Sequence, residues 1–413
     1  MIDSLSGSEG EARRRIEGAA PEKALYLDPN LQIVFCVALM AVLRVGSVAP
    51  AFPDIGRAFH VSSDSVSLLT TAFALPSVFL TPILGILADH WGRKRVLFPS
   101  LMLFGLAGGA CALARDFELL LALRFLHGIG AASLSMLNIT LAADLYEGRV
   151  RTTAMRYNAM VRGGGAALFP LLGGVLAALG WYYPFTLALL AIPIALLVLL
   201  RLRNPEPSGS QTLEAYLSYA LRSLRSWQVM GFFTAGFVVF VTMFGCYLTY
   251  YPFLLEDRFS ASPVVIGLLM FGRSVVNVTI SSQLGRVNKV WPVSILLKAS
   301  FALYTLVFAV IPLVSKLWAM VLITLLLGTA EGFFWPSSLA LLGMLAPMKH
   351  RAGFTATNDT ILKLGQTFGP LLMGGVFSLW GIEATFYVAA ALSLTTFALT
   401  VATVRLPERP TVS

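Results

Sequence analysis

Several ionisable side chains sit deep inside long apolar stretches of this sequence: Arg44, Arg124, Arg162, Arg273, Glu331, Asp359 and Lys363. A charge at bilayer depth costs about 3 kcal/mol unless it is paired or wetted, so each of these groups is a candidate for ion pairing, ligand binding or proton carriage. Their spacing groups them. Arg124, His127, Ser135 and Asn138 share one face of a helix, as do Glu331, Trp335 and Ser338. The Trp335 ring is available to stack on a ligand. Asp359, Lys363 and Gln366 are four and three apart, so the first two can pair within a helix. Arg273 carries Asn277 and Ser281 on its face. A carboxylate held in mid-membrane can take up a proton when it loses its cation and release it when the cation returns. Glu331 is the first candidate for that chemistry, Asp359 the second and His127 the third. Tyr247, Tyr250 and Tyr251 are expected in an interfacial belt rather than against a ligand. Arg156 and Lys298 lie nearer helix ends and are expected to snorkel outward.

The segments that carry these groups must cross a membrane. Hydrophobic residues make up 57% of the chain and charged residues 12%, too few to cover so much apolar surface in water. At roughly 20 residues per span the length allows about twelve crossings, expected at 29–53, 64–89, 95–114, 118–144, 152–179, 181–201, 228–255, 264–287, 291–313, 317–345, 351–379 and 383–405. The fold class is therefore an all-α membrane protein. Residues 1–28 form a polar tail with no apolar run resembling a signal peptide. Cys36, Cys111 and Cys246 stand singly within spans and are expected to pack as small apolar groups. His60, His90, His127 and His350 lack metal-ligand spacing, so no metal and no cofactor is expected. No constellation of nucleophile and base is visible, which argues against an enzyme.

The net charge of +9 is explained by position. With both ends of the chain on one side, Arg57, Arg115, Arg258 and Lys316 are the loop cations on the other side. That asymmetry is the positive-inside pattern, so both termini are expected in the cytoplasm and no nucleic-acid partner is implied. The Pro/Gly/Ser-containing stretch 202–227 reads as a linker between a bundle at 29–201 and a second at 228–405, followed by a tail at 406–413. The two bundles repeat each other at an offset of 200 residues. Gly85 falls on Gly285, Gly128 on Gly328, Arg151 on Arg351, Asn158 on Asn358, Gly165 on Gly365, Pro170 on Pro370 and Gly174 on Gly374. A parallel repeat of six helices is one way secondary transporters are built, with the substrate site between the halves.

Between the second and third spans stands Gly85-Ile86-Leu87-Ala88-Asp89-His90-Trp91-Gly92-Arg93-Lys94-Arg95. This stretch resembles the signature loop of the major facilitator superfamily. Arg124 ahead of His127-Gly128-Ile129-Gly130 resembles the family's fourth-helix motif, with His127 in place of the usual glutamine. Arg162-Gly163-Gly164-Gly165 followed by Pro170-Leu171-Leu172-Gly173-Gly174 resembles the fifth-helix motif of its drug and metabolite antiporters, with Phe169 in place of a glycine and Gly369-Pro370 keeping the pair in the second half. The resemblance implies two six-helix bundles that rock about a cavity lined by helices one, four, seven and ten. Arg44, Arg124, His127, Asn138, Glu331 and Trp335 are then cavity candidates, and Arg124 joins Glu331 and Asp359 as a candidate for proton coupling. It implies a conformational latch of Gly85, Asp89, Gly92, Arg93 and Asp144 that braces the second helix against the eleventh. Gly165, Pro170, Gly173, Gly174, Gly369 and Pro370 become packing or hinge positions. In the second copy of the loop Lys289 falls where Asp89 would, so the latch should be stronger in the first half.

The function implied is proton-coupled export of small amphipathic molecules by a monomer in the plasma (inner) membrane. Its partners would be the small-molecule substrate, protons and the lipid bilayer. Uncompensated arginines would favour an anionic substrate, whereas an Arg44–Glu331 bridge would admit neutral or cationic ones. An importer of organic acids or other metabolites on the same fold, and a membrane sensor or scaffold, are the alternatives.

Overall fold

The computed structural model describes residues 25–43, 45–202, 226–287, 291–345 and 351–403. Most of the expected tails and linker, and Arg44, lie outside them. The described chain is almost entirely helical. The first crossing, α1, starts as Pro29–Val42 and continues through Val45–Val48 to Phe52–Phe59. Then follow α2 (Ser63–Trp91), α3 (Arg93–Leu113), α4 (Phe117–Asp144), α5 (Gly148–Leu179), α6 (Tyr183–Arg201), α7 (Trp227–Phe259), α8 (Pro263–Val287), α9 (Val293–Leu313) and α10 (Leu317–Leu345). The last helix, Arg351–Thr403, breaks at Gly381, whose φ of 81° only glycine adopts readily. It therefore supplies two crossings, α11 (351–380) and α12 (382–403), and brings the number to twelve among the described residues. The expected spans differ from these mainly at their ends.

Lipid rather than water accounts for the surface. Leu113, Leu179, Leu200 and Leu313 are each at least 69% exposed, which only a hydrocarbon solvent tolerates across a whole molecule. Exposed Trp91, Trp227 and Trp291 mark one end of the spans, and Trp318 and Trp380 the other, as interfacial rings do. The first end also carries Asp89 and Arg93 and is termed the basic face; the other is the opposite face. On the basic face the Tyr146 hydroxyl donates to Asp28 Oδ2 at 2.6 Å. Burial, helped by that carboxylate, pushes the phenol up, so it stays a neutral donor that ties the start of α1 to the α4–α5 turn.

The repeat extends to individual contacts. A Cβ on Gly128 would overlap the Phe73 carbonyl oxygen, and one on Gly328 the Arg273 carbonyl oxygen, the same pair moved by 200 residues. His60 and Ser260, each closing a helix in the left-handed region, correspond in the same way. Across the bundle interface α5 packs on α8, and α2 on α11. Gly174 meets Pro263 and Gly267, while Gly374 faces Ser67. Gly165 packs on Leu39 and Val42, Gly173 on the Ser47 carbonyl, and Gly369 on Val241 and Gly245. Pro170 and Pro370 lie inside their helices. The small residues thus let α5 approach α1 and α8, and α11 approach α7.

Contacts between the bundles concentrate on the opposite face. Arg57 pairs with Asp54 of its own helix and with Glu256 of α7. Ser378 of α11 donates to Asp64 of α2 at 3.5 Å, and Thr71 donates to the Thr367 carbonyl at 3.2 Å. Towards the basic face the helices part. Along α11 Gln366 is buried, Lys363 half-buried and Asp359 exposed; along α5 Pro170 is buried, whereas Ala166, Ala159 and Met155 are exposed. The molecule is open to the basic face. Gly174→Ala should cost about 1–3 kcal/mol through the forced overlap at Pro263, while Gly164→Ala, with free space around it, should be neutral or slightly stabilising. Thermal unfolding of the two variants in detergent distinguishes them.

Candidate functional site

Glu331 sits on the buried side of α10 and meets two donors from α8: it is paired with Arg273 and accepts from Asn277 Nδ2 at 3.2 Å. Asn277 is itself fixed, because Ser281 donates to its Oδ1 at 3.1 Å. The Arg273 guanidinium lies 4.9 Å from the centre of the Tyr247 ring, which adds a cation–π contact from α7. A buried carboxylate needs such compensation. The pair lines a cavity of about 230 Å³ with Gly163 and Ala166 of α5, Phe240, Met243 and Phe244 of α7, and Trp335. Trp335 stands edge-on to Phe240 at 5.8 Å, and Phe240 stacks on Phe244 at 5.3 Å. The cavity has aromatic and aliphatic walls and a single internally neutralised ion pair, and it takes walls from both bundles. A larger, mainly apolar groove of about 390 Å³ lies between α8, α9 and α10 and touches neither the ion pair nor the interface.

Sequence periodicity missed two parts of this site. It grouped Arg273 with Asn277 and Ser281 and offered Arg44 as one possible partner of Glu331; the structure pairs Glu331 with Arg273. The repeat held the signal, since Gly328 brings α10 against Arg273 as Gly128 brings α4 against Phe73. The π-helical stretch Val241–Tyr247 also went unseen. It widens α7 where Met243 and Phe244 form the wall, a common placement for such segments. The tyrosines are corrected as well: Tyr247, Tyr250 and Tyr251 are fully buried and form no interfacial belt. Tyr251 hydrogen-bonds Thr324, and Tyr247 stacks on Tyr251 at 4.8 Å.

The fourth-helix stripe does not reach the cavity. Arg124 is fully buried within the N-terminal bundle; its Nε donates to the Leu69 carbonyl at 3.3 Å, and the Phe73 and Phe185 rings lie 4.6 and 5.7 Å away. His127 is wedged between Phe73 and Phe104, with its Nδ1 3.4 Å from Arg124. Among the described residues Arg124 Nη2 and His127 Nε2 have no hydrogen-bond partner. Asn138 donates to the Val34 carbonyl at 2.8 Å and accepts from Asn158 at 2.8 Å, which joins α1, α4 and α5 inside the bundle. Asn138 thus has its partners in neighbouring helices.

The latch residues do come together. Arg93 Nη2 lies 3.1 Å from Asp89, and its Nε donates to Asp144 at 2.5 Å. Gly92 turns the chain at φ 91°, and Gly85 faces Met136. These partners all belong to the N-terminal bundle, so the expected brace from α2 to α11 is not built through Arg93 in this open-to-basic-face form. Asp359 has Lys363, as the spacing suggested, and Arg162 as its electrostatic neighbours.

Twelve helices in two equivalent bundles around an interfacial cavity define a secondary transporter. The family model of the Major Facilitator Superfamily matches residues 34–258 and 238–413, and the chain belongs to that family. It is 27% identical over 353 residues to Multidrug resistance protein 2 of Bacillus subtilis (strain 168), covering 82% of this chain and 86% of that protein. It is 24% identical over 381 residues to Quinolone resistance protein NorA of Staphylococcus aureus (strain COL), covering 89% and 95%. Among solved structures it resembles a bacterial homolog of the human lysosomal transporter Spinster, with TM-score 0.76, 16% identity and 94% and 98% coverage. The nucleoside transporter NupG gives TM-score 0.76 at 14% identity, covering 92% of this chain and all of that one.

Arg273→Gln should leave Glu331 buried without its cation and destabilise the protein by about 3–5 kcal/mol. Adding Glu331→Gln should restore much of that loss. Thermal unfolding of the two single variants and the double variant checks the cycle; additive losses would mean that the residues do not interact.

Proposed function

We propose that this transporter exports small amphipathic molecules across the plasma membrane in exchange for protons, acting as a monomer by alternating access. The observation that carries the reading is Glu331, a carboxylate in the wall of the interfacial cavity whose cation, Arg273, comes from a different helix. In this reading the basic face is cytoplasmic, in keeping with the positive-inside pattern. The form described here then loads substrate from inside while the Arg57–Glu256 pair closes the outside. Rocking the bundles breaks that pair and exposes the cavity outward. A proton entering there neutralises Glu331 and releases Arg273. Return to the inward form delivers the proton, and the ion pair re-forms. Phe240, Phe244 and Trp335 offer flat, adaptable contacts to an apolar body, as a site for varied compounds requires. The resistance functions in the names of the bacterial relatives favour export over import.

Proteoliposomes loaded in turn with pyrenebutyrate, its methyl ester or pyrenebutylamine test this reading. Wild-type protein should move at least one of them against its gradient when a pH gradient is imposed. Glu331→Gln should lose driven transport and keep exchange of the same probe. Equal loss of both modes would remove Glu331 from the coupling step, and failure to move any probe would remove the transport reading.

A further inference from the structure

We propose that Arg273, Tyr247 and Tyr304 wall a buried water site behind Glu331, through which the carboxylate exchanges its proton with the opposite face. The water site stands on the packing of the second bundle alone; its proton role rests on the transport reading.

Three polar groups lie there without a protein partner. The Nε–H of Arg273 and the hydroxyls of Tyr247 and Tyr304 are buried and have no hydrogen-bond partner among the described residues. Each such group left unpaired costs about 1–3 kcal/mol. A bound water relieves several at once, because it can accept from one group and donate to another. Arg273 and Tyr247 are in contact, with the guanidinium 4.9 Å from the ring centre. Tyr304 reaches the same level from α9. Phe301 of α9 meets Phe334 of α10 with ring centres 6.0 Å apart, and the two helices run antiparallel. One turn from these rings towards the opposite face lie Tyr304 on α9 and Glu331 on α10. Tyr304 is accordingly within reach of the charges of Glu331 and Arg273. Its ring neighbours, Phe301 and Phe308, offer its hydroxyl no acceptor.

The site is distinct from the substrate cavity. Arg273 and Glu331 line that cavity, whereas Tyr247 and Tyr304 do not. The ion pair is therefore the wall between the two. From the tyrosines, polar groups continue towards the opposite face. Tyr247 stacks on Tyr251, whose hydroxyl bonds to Thr324. Thr324 precedes Glu331 on α10 and lies about 10 Å nearer that face. The set belongs to the bundle that carries the carboxylate: at the equivalents of Tyr247, Tyr251 and Tyr304 the first bundle has Ser47, Ala51 and Phe104.

Arg273 controls what the site can hold. A guanidinium beside a water repels a hydronium, so the closed ion pair keeps that water neutral. When the bundles rock outward and Arg273 leaves Glu331, a hydronium can occupy the site. It passes one proton to a Glu331 carboxylate oxygen and leaves a neutral water behind. The proton then need not cross the substrate cavity.

X-ray hydroxyl-radical labelling of the purified protein tests the water site, because a radical formed from a bound water oxidises the ring beside it. Short exposures should add oxygen to Tyr247 and Tyr304 and leave Phe354 unmodified, a buried ring packed among Phe232 and Phe233. Tyr304→Phe should lose the labelling of Tyr247. It should also slow pH-driven transport of the pyrene probe in proteoliposomes with probe binding unchanged. Tyr247 and Tyr304 as unreactive as Phe354 would overturn the water site, whether or not the protein transports. Labelled tyrosines with full-rate driven transport by Tyr304→Phe would overturn the proton role. Should that variant fail to fold, wild-type labelling decides the site and Thr324→Val in the same transport assay decides the relay. Movement of no probe by wild-type protein would remove the proton reading, and the relay with it, while the labelling still decides the water site.

Discussion

A carboxylate in the middle of a membrane protein must be matched by a cation and by hydrogen bonds, or it must be protonated. Glu331 is matched by Arg273 and Asn277, and much of the second bundle is arranged to make that possible. Gly328 lets α10 touch the α8 backbone at Arg273 itself. Tyr247 comes from the π-helical part of α7 to face the guanidinium. The same three helices, with α5, supply the cavity wall, so a change at the ion pair and a change in cavity shape cannot be independent. This is the physical link that the proposed proton exchange uses.

The two bundles share a frame and differ in its contents. At the position where the second bundle has Arg273 the first has Phe73, and opposite Glu331 it has Ala131. The first bundle keeps its buried cation, Arg124, against aromatic rings and a backbone carbonyl, with no carboxylate partner among the described residues. Its charged cluster is instead Asp89, Arg93 and Asp144 at the basic face. The first bundle thus holds its charge cluster at the basic face and the second its ion pair in the cavity. Charges of the two bundles meet in the Arg57–Glu256 pair on the opposite face, and Lys363 of the second bundle reaches Thr81 of the first.

The frame was legible in the sequence because it depends on features that do not need tertiary context. Span length follows from bilayer thickness, and the repeat follows from glycines at fixed offsets. The Asp89–Arg93 contact was legible because the two are neighbours in sequence, four residues apart. The cavity was less so. Helical spacing says which residues share a face, but the neighbour that covers that face comes from another helix. Arg124 and Asn138 therefore shared a stripe as expected, yet α1, α2, α5 and α6 cover it. The tyrosines of α7 carried the composition of an interfacial belt and are nevertheless buried against α10 and α11. The π-helical segment left no pattern in the sequence, since one extra residue in a turn does not disturb the hydrophobic run.

Substrate-evoked proton release tests the central claim most directly. Purified protein in weakly buffered detergent solution would be given whichever pyrene probe it transports, and the pH followed. Substrate binds the form in which Glu331 is ionised against Arg273 and so draws the protonated population into that form, which predicts acidification by wild-type protein and none by Glu331→Gln. Equal acidification by both, or none by either with binding intact, would contradict the account.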